Sequence, residues 1–130
     1  MKRFIEAQNP IYNTVIDELK QQQKNTHWMW FIFPQIEGLG QSDIAKKYSL
    51  TKEEAIEYTK NTILKERLIE CCELLLKSDK SATQILGPID AMKLKSSMTL
   101  FDALHPNEIY EKVLNKFFDD KCDFTVQKVG

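Results

Sequence analysis

Cysteine, glycine, proline and histidine are all scarce in this chain, with three, four, four and two copies in 130 residues, and each scarcity removes a class of protein. Three cysteines are an odd number. Cys71 and Cys72 are neighbours inside a helical pattern and Cys122 stands near the end, so neither a disulfide framework nor export is expected. No CxxC pair occurs and the imidazoles are only His27 and His105, so the spaced ligand pairs of a structural zinc site are missing and no metal or cofactor is expected. Basic blocks are missing as well: 18 Lys and Arg against 19 Asp and Glu give a net charge of -1, and no run of cations is present to neutralise a row of phosphates, which argues against a nucleic-acid partner. Long apolar runs are also absent. Trp28 to Phe33, the longest, falls far short of a bilayer span, and Glu6 interrupts the first residues before a signal-peptide core can form. No membrane partner is therefore expected, and the chain reads as cytoplasmic.

What is present is an ordinary globular composition, 42% hydrophobic and 28% charged, in a length that suits one domain over residues 1–130 with one core. The apolar positions recur at helical steps. Asn9 and Pro10 read as N-cap and first residue of a helix that ends near Gln23, with Ile11, Tyr12, Val15, Ile16 and Leu19 inward and Asp17, Glu18 and Lys20 in water. Thr26 to Pro34 reads as a short helix, because no second strand-like run is available to pair with it. Ser42 caps a short helix over residues 43–48, and Thr51 with Glu54 forms a capping box that opens one ending near Lys60. Residues 62–78 form what reads as the longest helix, with Leu64, Leu68, Cys71, Cys72 and Leu75 inward. After a short turn at Ala82 to Leu86, Gly87 and Pro88 punctuate the chain. Asp90 then caps a helix to about Leu104, and a last helix begins at Pro106 or Asn107. The final ten or so residues carry no helical signal and are left as an irregular tail. The fold class is all-α, a single compact multihelical domain of seven to eight helices.

Three segments, HWMWFIFPQ (His27 to Gln35), GLGQS (Gly38 to Ser42) and KLKSSMTLF (Lys93 to Phe101), resemble a family of uncharacterised bacterial proteins, a domain of unknown function. The likeness runs from RFIEAQNPIY near the start to FFDDKCDFT near the end. It implies a small, multihelical, cytosolic protein and supplies no activity or catalytic residue. Some members carry the label calpastatin, but calpain inhibitors of that name are long, disordered and proline-rich, unlike this compact chain.

Within those segments lie the residues that can carry chemistry. His27, beside two tryptophans, is the candidate acid, base or ligand donor, provided that burial tunes its imidazole. Trp28 and Trp30, two apart on a helix, point in directions about 200° from one another, so one of them is free to line a cleft and stack on a planar group. Gly38, Gly40 and Ser42 present backbone N–H groups and a hydroxyl ahead of a helix, a cradle for phosphate or carboxylate. Ser96 and Ser97 in mid-helix point to close packing or a polar pocket, with Lys93 on the same side. Together with Gln35 these residues suggest a site for a small anionic or nucleotide-like ligand. The alternatives are a noncatalytic interaction module or homodimer built on exposed aromatics, and an enzyme that uses His27.

Overall fold

The computed structural model describes residues 1–130, and every regular element is a helix. In chain order these are α1 (Lys2–Gln8), α2 (Tyr12–Lys20), α3 (Met29–Ile32), α4 (Asp43–Tyr48), α5 (Lys52–Lys60), α6 (Thr62–Lys77), α7 (Ala82–Leu86), α8 (Pro88–Leu104), α9 (Ile109–Phe117) and α10 (Asp123–Val129). Four of them start where a side chain accepts an otherwise orphaned N–H: Ser42 from Ala45, Thr51 from Glu54, Asn61 from Leu64 and Ser81 from Gln84. At Thr51 and at Ser81 the third residue reaches back to complete a capping box. Between α7 and α8 the backbone turns at Gly87 with φ of 88°, a left-handed value that costs glycine nothing, and Pro88 then opens α8 without forfeiting a hydrogen bond. The only β-type pairing is a single parallel bridge between Ile36 and Leu50.

α8 is the central element. Its residues from Ser96 to Asp102 are all buried, without the polar face that a surface helix keeps. Leu94, Met98 and Phe101 meet Leu68, Cys72 and Leu75 of α6 and Tyr110, Val113 and Leu114 of α9 in one continuous core. Ser96 and Ser97 are both buried, and Ser96 lies against Cys122 at the start of α10. α6 ends against α9, where the Lys116 ammonium donates to the carbonyls of Leu75, Leu76 and Ser78 and satisfies the helix's last acceptors.

Ten helices stand where seven to eight are expected, and the differences have local causes. Asn9 and Pro10 do not open a helix. Asn9 closes α1 and α2 begins at Tyr12, with the Asn9 side chain accepting from the Arg67 guanidinium at 2.9 Å. Long-range pairing thus claims the residue that the local pattern assigns to a cap. Glu18 is buried rather than solvated. α8, at 17 residues, is longer than α6 at 16, and its N-cap is Gly87, which leaves Asp90 inside the first turn. α9 starts at Ile109, because Asn107 takes a left-handed φ of 66°. The tail is a helix too: Thr125 and Val129 of α10 are buried, so packing against α8 orders a segment with little helical signal of its own.

Candidate functional site

The start of α8 gathers charge. Asp90 in its first turn accepts from Lys24 Nζ through Oδ2 at 2.9 Å and from Lys93 Nζ through Oδ1 at 3.2 Å. Lys93 reaches Asp90 because residues three apart share a helix face. Lys24 arrives from the segment after α2, which is tied to α7 by its backbone N–H donating to the Ile85 carbonyl at 2.8 Å. The Lys24 side chain is only 8% exposed and that of Asp90 18%, so both ions sit largely out of water. Aromatic faces support the cations: Lys93 Nζ stands 4.5 Å from the Trp30 ring centroid and Lys24 Nζ 5.2 Å from that of Trp28. Between these groups lies a pocket of about 370 Å³ whose lining includes Lys24, His27, Trp30, Asp90 and Lys93, with the first turn of α8 as one wall.

Two ammonium groups against one carboxylate leave a net positive charge in the pocket. The N–H groups of Ile89 and Asp90 find no acceptor within the chain, as geometry requires at a helix start, and the dipole of a 17-residue helix adds to the positive field. Chemically, this arrangement favours a carboxylate or phosphate oxygen.

Of the residues singled out in the sequence, His27, Trp30 and Lys93 come together here. His27 is exposed and makes neither a hydrogen bond nor an ion pair. Trp28 is fully buried, with its indole N–H donating to Glu18 Oε1 at 2.9 Å, and it belongs to the core rather than to a ligand. Gln35 lends its backbone carbonyl to the Leu50 N–H at 2.9 Å and stays away from the pocket. Gly38, Gly40 and Ser42 lie elsewhere and are occupied structurally. A Cβ on Gly38 would come within 3.0 Å of the Phe124 ring, and one on Gly40 within 2.4 Å of the Ala45 Cβ. The Ser42 hydroxyl caps Ala45. The Ser96 hydroxyl lies 3.1 Å from the Met92 carbonyl and 3.4 Å from Cys122 Sγ, while Ser97 is fully buried; neither lines the pocket. Lys24 and Asp90 were not among the sequence candidates. The three-residue step from Asp90 to Lys93 is visible in the sequence, whereas nothing local marks Lys24, which is joined to them only by the fold.

The family of proteins of unknown function DUF1810 matches residues 1–129. The chain belongs to that family. It is also similar to the crystal structure of the conserved hypothetical protein Rv1873 from Mycobacterium tuberculosis, with 41% sequence identity and a TM-score of 0.94, over 97% of this chain and 93% of that one. No curated protein matches. No helix of this family member is long and apolar enough to cross a membrane.

Other titratable groups in this DUF1810 chain serve its own structure. Burial opposes ionisation of Glu18. The Thr26 hydroxyl, the Asn25 N–H, the Trp28 indole and the Thr26 N–H all donate to it, however, and together they hold its carboxyl below the ordinary range. Burial pushes the Cys71 thiol up to about 12 and Cys72 well above its usual value, so both are inert packing groups. Cys122 is half-buried rather than exposed in a free tail. Its burial resists ionisation, but hydrogen bonds from the Ser96 and Thr125 hydroxyls and from the Thr125 and Phe124 N–H groups outweigh this and draw the thiol below its ordinary value.

Proposed function

We propose that the pocket at the start of α8 binds a small metabolite through a carboxylate or phosphate group. One observation carries this reading: Lys24 and Lys93 converge on the single carboxylate of Asp90, beside helix N–H groups that have no acceptor in the chain. An anion there would pair with the uncompensated positive charge, accept from Ile89 and Asp90, and meet the helix dipole. Trp30 holds Lys93 over one face, so the ring positions the cation first. A planar, nucleotide-like ligand would use its edge or displace the ammonium.

A thermal-shift series on the purified protein with nucleotides, nucleotide-sugars and small phosphorylated metabolites tests this, repeated on Lys93→Ala. A ligand at about 100 times its Kd adds roughly 2.7 kcal/mol, which raises the melting temperature by several degrees. A rise that disappears in Lys93→Ala is the expected result. A rise of equal size in the variant, or none across the panel, overturns the reading.

A second reading, a surface for a protein partner or a second copy, is favoured by Ile89 and Met92, which are 72% and 62% exposed and stand three apart on one face beside the pocket. Light scattering across a concentration series, with Met92→Lys as the control, decides it: a dimer that dissolves in the variant supports the interface, and a monomer throughout removes it. Catalysis by His27 has less support, because no carboxylate or carbonyl orients its imidazole.

A further inference from the structure

The far end of α8 holds a larger cavity, about 840 Å³, between α5, α6 and the close of α8. Its volume lies within the range of roughly 300–1,000 Å³ typical of small-molecule sites. Ile56, Ile69 and Leu104 give it an aliphatic side, and Lys60 and Lys65 give it a cationic one. Neither lysine forms an ion pair with any carboxylate of the chain. Glu66 is the one acid in the lining, so the cavity keeps an excess of positive charge. The first turn of α6, between the two lysines, contributes no acidic residue to offset it.

His105 and Thr59 close the wall between α8 and α5. Thr59 Oγ1 lies 3.1 Å from the Ile56 carbonyl and 2.8 Å from His105 Nε2, and its single proton serves one of the two at a time. Nδ1, on the opposite edge, faces Glu108 Oε2 at 3.8 Å. Hydroxyl, imidazole and carboxylate in a row suggest a nucleophile with its base, but the burial of the hydroxyl is wrong for that. A threonine hydroxyl that lies against a carbonyl of its own helix and belongs to a residue only 5% exposed is not presented to a substrate as a nucleophile. The pair is therefore a rigid wall, and the cavity is suited to binding rather than to covalent chemistry.

We propose that this cavity binds an amphipathic monoanion such as a medium-chain carboxylate, with its tail on Ile56, Ile69 and Leu104 and its head between Lys60 and Lys65. Polyphosphates fit less well, since the aliphatic side would contribute nothing and Glu66 would repel the extra charge. This site is independent of the pocket at the start of α8.

Isothermal titration calorimetry with sodium decanoate tests the proposal, alongside decyltrimethylammonium (the same tail with the opposite charge) and inorganic phosphate (a head without a tail). The expected result is saturable binding of decanoate alone, weakened about tenfold or more, at least 1.4 kcal/mol, in the double variant Lys60→Ala/Lys65→Ala and unchanged in Lys93→Ala. Both substituted lysines are exposed and without ion-pair partners, so the variant is expected to keep the wild-type circular dichroism. No decanoate binding, equal binding of decyltrimethylammonium, binding of phosphate instead, an undiminished affinity in the double variant, or a loss in Lys93→Ala would each overturn it.

Discussion

Two carboxylates, Glu18 buried and Asp90 partly so, show how differently this chain uses an acid. Glu18 is saturated: two backbone N–H groups, one hydroxyl and one indole supply its hydrogen bonds, and it holds the turn after α2 against Trp28. Asp90 is outnumbered: two lysines draw on it, and part of their charge is left over. A carboxylate whose donors are neutral is a structural fastener. One surrounded by surplus cations leaves a site that an outside anion can complete.

The sharpest way to break that comparison is Glu18→Gln. An amide keeps one acceptor oxygen but turns the other into a donor aimed at the Thr26 hydroxyl and loses the charge that strengthens every bond, so a cost of about 3 kcal/mol is expected in urea unfolding. The pH profile supplies a signature. Because the folded carboxyl titrates below its unfolded value of roughly 4.3, its contribution is fully present above that value and is lost as the pH falls through the lower, folded one. The gap between wild type and variant should therefore narrow in acid. A gap that stays constant down to the acid limit would mean that the lost stability came from packing alone.

Asp90→Asn should cost less, about 1–2 kcal/mol, because Lys24 loses its partner while largely buried but Lys93 can turn to water. It should also tighten anion binding, since a negative charge leaves the pocket. Calorimetry of the variant with whichever anion shifts the wild type checks this, and weaker binding would mean that Asp90 itself contacts the ligand.

The contrast also explains what could be read in advance. The Ser42 cap of α4, the Thr51–Glu54 capping box of α5 and the apolar period of α6 are local and visible as patterns, as are Cys71 and Cys72 on the core face of α6. Glu18 was assigned to water because a charged residue beside Asp17 and Lys20 carries no local sign that four donors from a later turn will surround it. Lys24 escaped notice for the same reason. Three of the ten residues proposed for the ligand, His27, Trp30 and Lys93, do meet at one pocket, whereas Gly38, Gly40 and Ser42 are drawn toward α10 and α4. Phe124, which packs on Gly38, belongs to the segment read as an irregular tail, so the glycine's structural task was hidden along with its partner.

The smallest expected effect on stability concerns Trp30. Its ring is half-buried beside the core and holds Lys93 at 4.5 Å, an interaction worth about 0.5–1 kcal/mol near a surface, so Trp30→Leu should lower stability by no more than roughly 1 kcal/mol once the retained aliphatic packing is counted. Its effect on the pocket should be larger in proportion. Without the aromatic face, Lys93 is free to swing into solvent, and an anion must then bear the entropy of fixing that side chain. A variant that keeps its melting temperature within a few degrees yet binds the anion several-fold more weakly would mark Trp30 as the residue that presents Lys93. Undiminished binding would show instead that Asp90 alone holds the lysine in place, and that the ring is only part of the wall.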